Sequence, residues 1–158
     1  MNSVAIALGS NLGDREGHLA FAVDRLREIL TGLSVSSWYE TAPVGVITPQ
    51  PDFLNGVVVG QTTLGAHALL ECLLAIERAR GRRRPHDGAP RTLDLDLIFY
   101  GGEVIDRPGL RVPHPRFRER LFVLEPLAAI ASDWVDPVTG LTVGELLAGL
   151  QSRPSQER

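Results

Sequence analysis

The sequence contains no lysine; all 16 of its basic residues are arginine. Any phosphate site that turns on a lysine is therefore excluded. That rules out the P-loop G-x-x-x-x-G-K-[ST], and no H-R-D or D-F-G kinase set is present either. A single cysteine, Cys72, leaves no disulfide and no cysteine-based metal site within one chain, which fits a reducing compartment. No stretch approaches the roughly 18 apolar residues a membrane span needs. The opening MNSVAIALGS lacks the basic and apolar regions of a signal peptide. The cytoplasm is the expected compartment, with no membrane partner. A net charge of -3 argues against a general nucleic-acid binder.

That small net charge hides an asymmetry. Between Arg78 and Arg120 lie 11 of the 16 arginines but only 6 of the 19 acidic residues, a local +5 against -8 elsewhere. Arginine offers a planar fork of donors suited to bidentate binding of phosphate or carboxylate.

With 158 residues the chain is long enough to bury a full core as one domain, 1–158, whose last residues from about 151 are expected to fray. Ser3 to Leu8 reads as a buried strand. Leu19, Ala22, Val23, Leu26, Ile29 and Leu30 repeat at helical spacing, with Asp14 as N-cap and Gly32 as stop. Val35 to Glu40 alternates like a strand, and Thr41 to Asp52, rich in proline, is an irregular loop. FLNGVVVGQTT is a third strand, and Leu64 to Arg80 a second helix with Leu69, Leu70, Leu73 and Ile76 on one side. A basic Pro/Gly loop, GRRRPHDGAPRT, leads into the strand RTLDLDLIFY. A short extended piece at 103–105, the segment VPHPRFRER, a helix near Arg118 to Ile130 and another at Val143 to Leu150 follow. The order β-α-β-β-α-β with additions is the split-βαβ pattern of an α+β, ferredoxin-like sandwich carrying extra C-terminal strands and helices.

The chemistry concentrates in RTLDLDLIFY. On a strand, residues two apart share a face, so Leu93, Leu95 and Leu97 face the core while Asp94 and Asp96 project together on the other side. An alternating strand with one wet face would look the same in isolation. Yet two same-face carboxylates roughly 6 to 7 Å apart repel by on the order of 2 to 3 kcal/mol at an effective dielectric near 20. A divalent cation between them removes that penalty. Hard oxygen ligands suit Mg²⁺, which completes its shell with water and phosphate, whereas calcium wants more protein oxygens. Arg82, Arg83, Arg84 and Arg91 directly precede the pair, and His114, Arg116, Arg118 and Arg120 follow in VPHPRFRER. Metal-holding aspartates flanked by guanidinium groups are what a polyphosphate needs during transfer. GSNLG after the first strand reads as a tight strand-to-helix turn, with phosphate cradling as the alternative.

The segment D-G-A-P-R-T-L-D-L-D-L-I, Asp87 to Ile98, resembles the signature of the 6-hydroxymethyl-7,8-dihydropterin pyrophosphokinase family. Further similarity runs from Val4 to about Leu150 in the right order. It includes G-S-N-L, S-S-W-Y-E-T-A-P-V-G, Q-P-D-F-L-N, I-E-R-A-R-G-R and L-R-V-P-H-P-R-F-R-E-R-L-F-V-L-E-P-L. The resemblance implies transfer of the β,γ-diphosphate of ATP to the hydroxymethyl group of a reduced pterin, with release of AMP, in folate biosynthesis. It implies that Asp94 and Asp96 hold two Mg²⁺ ions, and that Arg82 and Arg91 clamp phosphate. Leu74, Glu77, Arg84, Leu97, Arg111, His114, Pro115 and Arg120 are implied to lie about the ATP. For the pterin it implies Phe53 and Phe122 against the two ring faces, Asn55 at the edge, and Thr41, Ala42 and Val44 lining the pocket. Such a flat, polar-edged ring suits two aromatic faces and a carboxamide. The chain departs from the family pattern at Gly88, where an aromatic is common, in a basic loop about one residue shorter. A monomer acting on small molecules is expected. Two other functions use the same residues: a ferredoxin-like module that binds phosphate ligands without transforming them, and a two-metal nucleotidyltransferase that releases pyrophosphate.

Overall fold

A computed structural model describes residues 1–43, 49–81 and 91–153. Its centre is β1 (Asn2–Ser10), flanked on one side by β4 (Phe53–Thr62) and on the other by β5 (Asp94–Tyr100). Both pairings are antiparallel. The sheet runs β2-β4-β1-β5, with β2 (Thr31–Val35) at one edge and the short β3 (Tyr39–Thr41) also paired to β4. Helices α1 (Arg15–Leu26) and α2 (Ala66–Ala79) join β1 to β2 and β4 to β5, which is the ferredoxin-like connectivity expected from the sequence. The hairpin β6 (Ile105–Arg107) and β7 (Leu110–Val112), a 3-10 turn at Phe117–Glu119, and helices α3 (Leu121–Ala131) and α4 (Val143–Gln151) follow. No helix among the described residues is long and apolar enough to cross a membrane.

Two apolar clusters sandwich the sheet. Val4, Ile6 and Leu8 of β1 join Leu93, Leu95 and Leu97 and the buried stripes Leu19, Leu26, Leu69 and Leu73 of α1 and α2. On the other face Ala5, Ala7, Val57, Ile98 and Phe99 meet Phe117, Leu124 and Leu127. There Phe99 packs edge-on to Phe117 and stacks on Trp134, each 5.1 Å between ring centres. The expected core is thus present, but the second face is not simply wet. Its Ile98–Phe99 end lies under the C-terminal helices, and only the end carrying the aspartates is left for a site.

A β-bulge makes this division possible. Ala5 pairs with Phe99 and Ile6 with Leu97, so Ile98 is an extra residue in β5. The alternation therefore changes parity at the bulge. Asp94, Asp96, Ile98 and Phe99 all serve one side, while Leu95, Leu97 and Tyr100 serve the other.

Several boundaries differ from those expected. Val35 to Glu40 is not one strand: β2 ends at Val35 and β3 begins at Tyr39. Between them the Ser36 amide still donates to Val57 O at 2.9 Å, but the Ser36 hydroxyl, which donates to Ser37 O at 2.8 Å, accepts from Val57 N at 2.9 Å in place of a backbone carbonyl. Asp14 caps α1, accepting from Gly17 N at 3.1 Å, but the helix stops at Leu26 rather than near Gly32. Gly32 instead lies in β2 with φ of +60°. The helix placed at 118–130 starts at Leu121, after the 3-10 turn, and α4 reaches Gln151.

Candidate functional site

The β1 side chains on the α3 side shrink along the strand: Ala5, Ala7, then Gly9. Ala7 stands opposite Asp96 and Val57, and Gly9 opposite Asp94 and Asn55, so Asp94, Gly9 and Asn55 form one cross-strand row. Tyr39 extends that row from β3, and Phe53 pairs with Thr41 one step further along the same face. A methyl at Gly9 would stand 3.0 Å from Asn55 Oδ1 and 3.5 Å from the Phe53 ring. The glycine keeps the floor between the aspartates and the Phe53–Asn55 pair open.

The acidic end of the row is electrostatically loaded. Burial pushes the Asp96 carboxyl up to about 7, and the neighbouring Asp94 adds to the rise while Arg120 and Arg91 oppose it. Arg91 donates to Asp94 Oδ2 at 2.7 Å. Arg120 lies with its guanidinium 5.4 Å from the centre of the Phe122 ring. Burial pulls its own pKa down, against the pull of Asp96. His114 is held well below the usual imidazole range, at about 4, first by burial and then by Arg120. It is neutral at pH 7. Its Nδ1 accepts from Arg116 N at 3.1 Å, so the proton sits on Nε2, which is left as a donor.

Glu77, on α2, is buried and accepts the Leu95 amide at 2.7 Å. It fastens α2 to the residue between the two aspartates, a structural task beyond the nucleotide proximity expected for it. Asn55 is buried and donates through Nδ2 to the Thr41 hydroxyl, which joins two of the expected pocket residues. Ala42 is exposed nearby in the chain.

Other candidates are used differently. Arg118 is bound to the buried Asp136 through Nε at 2.6 Å and Nη2 at 3.0 Å, so the structure removes it from the phosphate-binding candidates. Arg111 pairs with Asp106 at 3.2 Å on the exposed side of the β6–β7 hairpin. Leu97 packs in the core beneath α1 and α2, Leu74 is half-buried on α2, and Pro115 and Arg116 are exposed. Val44, Arg82, Arg83, Arg84 and Gly88 lie outside the described residues. The residues bordering the basic segment are tied down. Arg80 Nε donates to His18 Nδ1 at 2.7 Å, and Arg91 exchanges bonds with Asn11, whose amide donates to Arg91 O at 3.0 Å.

Gly9 and Asn11 were not singled out from sequence, because GSNLG reads as a turn. The signal available was position: a small residue at the end of the strand that a βαββαβ order makes central, and a carboxamide just past it.

Two half-buried carboxylates share a face, Asp94 adding to the cost of ionising Asp96, and no group of three or more His, Cys, Asp or Glu side chains is gathered among the described residues. Such a pair fits an ion that takes one or two carboxylates and fills its remaining positions with water and substrate oxygens.

Residues 5–132 match the model of the 7,8-dihydro-6-hydroxymethylpterin-pyrophosphokinase family. A 2-amino-4-hydroxy-6-hydroxymethyldihydropteridine pyrophosphokinase of Synechocystis is 44% identical over 149 residues, covering 92% of this chain and 75% of that protein. The Bacillus subtilis protein of the same name is 50% identical over 133 residues, covering 82% and 79%. A mitochondrial folate synthesis bifunctional protein of Arabidopsis thaliana is 46% identical over 138 residues, 85% of this chain but 24% of its own length. Among solved structures, Plasmodium falciparum HPPK-DHPS superposes with a TM-score of 0.76 at 15% identity. That match covers 96% of this chain and 45% of the other, a likeness of fold in which this chain spans less than half of the longer molecule.

Proposed function

The chain belongs to the 7,8-dihydro-6-hydroxymethylpterin-pyrophosphokinase family, and on that premise we propose that it transfers diphosphate from ATP to 6-hydroxymethyl-7,8-dihydropterin, giving the pterin diphosphate and AMP, in folate biosynthesis. The observation that carries this function is the single row across the sheet. A like-charged carboxylate pair with Arg91 and Arg120 stands at one end, and a carboxamide with Phe53 at the other, separated by a glycine.

In the reaction the hydroxymethyl oxygen forms a bond to the β-phosphorus as the bond from that phosphorus to the α,β-bridging oxygen breaks. AMP leaves with the bridging oxygen, and the alcohol proton is given up. The nucleophile is a neutral alcohol, so alignment and charge neutralisation supply most of the rate. Phe53 and Phe122 hold the pterin ring by its faces, and the Asn55 carboxamide, oriented by the Thr41 hydroxyl, reads its polar edge. Arg91 and Arg120 neutralise phosphoryl oxygens, Arg91 being aimed by Asp94. Neutral His114 donates from Nε2 without adding charge. Arg82 and Arg84 complete the clamp from the basic segment, and Val44 and Ala42 border the pterin. Asp94 and Asp96 would hold Mg²⁺, two ions with ATP present, which would supply charge neutralisation at the phosphates. We propose that it acts as a monomeric domain in the cytoplasm.

Incubation with ATP, Mg²⁺ and the hydroxymethyl-dihydropterin, followed by identification of the nucleotide product, tests this directly. AMP with pterin diphosphate is the expected outcome. Saturable ATP binding without turnover would identify a sensing module, and release of pyrophosphate a nucleotidyltransferase.

A further inference from the structure

Asn11 directly follows β1 with no surface exposed, yet no step of the proposed reaction uses it. Its four hydrogen bonds divide cleanly between two parts of the molecule. Nδ2 donates to Gln50 Oε1 at 3.0 Å and to Pro51 O at 3.3 Å, in the segment that leads to Phe53. Oδ1 accepts from Arg91 N at 2.8 Å, and the Asn11 amide donates to Arg91 O at 3.0 Å. Arg91 in turn holds Asp94. Arg15, four residues on, reinforces the first side by donating to Asp52 O at 2.9 Å and Glu40 Oε1 at 2.8 Å.

A carboxamide is planar, with its donor and acceptor ends fixed in opposite directions. Buried, it loses heavily if either end is left unmatched. Displacement of the 50–52 segment therefore has to be followed at Arg91 or be resisted by it.

We infer that Asn11 is a positioning residue that couples the pterin side of the site to the nucleotide side, so that ordering of Arg91 by phosphate also orders the segment carrying Phe53. The inference rests on the proposed function, because it assigns ligands to the two sides. Coupling of this kind is reciprocal: each ligand raises the affinity for the other by the same factor. A merely structural asparagine would change both affinities in parallel and leave their ratio alone.

The test uses the full chain and an ATP analogue with carbon in the α,β-bridge, where the reaction would break the chain of phosphates. The Kd of the hydroxymethyl-dihydropterin is measured with and without the analogue, and the ratio of the two is the coupling factor. Asn11→Asp keeps the acceptor facing the Arg91 amide but sets oxygen against Gln50 Oε1 and Pro51 O. It is expected to lower the coupling factor by about fivefold or more while the analogue alone still binds. Gln50→Ala, which removes one acceptor from a less buried position, is expected to lower it about threefold. Gln50→Glu keeps an acceptor oxygen and is expected to restore it. Should Asn11→Asp fail to fold, the Gln50 pair decides. Wild-type coupling in Asn11→Asp or in Gln50→Ala, or a wild-type factor of one, overturns the inference while AMP release by the wild type leaves the proposed function standing. Absence of AMP release by the wild type removes that function, and the inference with it.

Discussion

Asp96 is half-buried and Asp136 wholly buried, and their neighbours treat the two carboxylates in opposite ways. Asp136 has no exposed surface and is met by four donors: Arg118 Nε and Nη2, the Val138 amide at 3.0 Å and the Thr139 hydroxyl at 2.8 Å. Burial works to raise its pKa, but these bonds override it and hold the carboxyl below its ordinary range. Asp96 is pushed the other way, to about 7, by burial and by a second carboxylate on the same face. A carboxylate kept for the fold is given its counter-charge by the chain, whereas one kept for a ligand is left with a deficit that the ligand makes good. The same contrast separates Arg118, bound by Asp136, from Arg120, which faces the site.

Four experiments bear on that contrast. The largest effect is expected at Asp96. Asp96→Asn should reduce turnover about a thousandfold or more at saturating Mg²⁺, as loss of a metal-holding and charge-stabilising group does. The melting temperature should not fall, because the substitution removes a repulsion. Substantial turnover in this variant would show that the pair is not the metal edge. Asp136→Ala should do the reverse, costing about 3 kcal/mol or more in chemical denaturation because Arg118 loses its buried partner. Below its melting temperature the variant should keep kcat near wild type. A kcat loss matching that of Asp96→Asn would erase the distinction. Gly9→Ala should weaken pterin binding about tenfold, since the added methyl would press on Asn55 Oδ1 at 3.0 Å. Titration calorimetry should find binding of the ATP analogue unchanged.

The smallest effect is in the pH dependence of stability without metal. The folded Asp96 carboxyl titrates near 7, above the ordinary value of 3.8, so the folded state binds the extra proton between them. Stability from this group therefore rises as pH falls from 8 to 5. Asp136, with a depressed pKa, contributes stability above the ordinary carboxylate range and loses it only in more acid solution. His114, held at about 4, opposes this by favouring the unfolded state as pH falls below 6.5, so the check is a comparison: the melting temperature of the metal-free protein at pH 5 relative to that at pH 8 should be a few degrees lower in Asp96→Asn than in the wild type. An unchanged difference in the variant would place the titrating group elsewhere.

Much of this was legible in the chain itself. Alternation in TLDLDL placed three leucines inward and two aspartates outward, and the structure puts them there. The Asp14 cap and the βαββαβ order were likewise local signals. What was not legible depends on residues far apart. The break between β2 and β3 comes from Ser36 bonding to Val57, and from Trp38 lying where a methyl on Gly56 would come within 2.4 Å of its ring. Arg118 looked like its neighbours Arg116 and Arg120 because Asp136, its partner, is 18 residues away. Asn11 and Gly9 acquire meaning only when β1 is set between β4 and β5.

The bulge at Ile98 has a use beyond changing parity. Its carbonyl accepts the His114 amide at 3.0 Å, so the chain segment bearing the imidazole is pinned two residues beyond Asp96. The strand thereby acts as a ruler whose graduations are residues. Removing one residue at the bulge would restore a regular ladder with the flanking side chains on their present faces, and the sheet could close around the loss. The interval between carboxylate and imidazole would not survive it. A length change there would leave a sheet that still pairs and a site whose two halves are set for a different span.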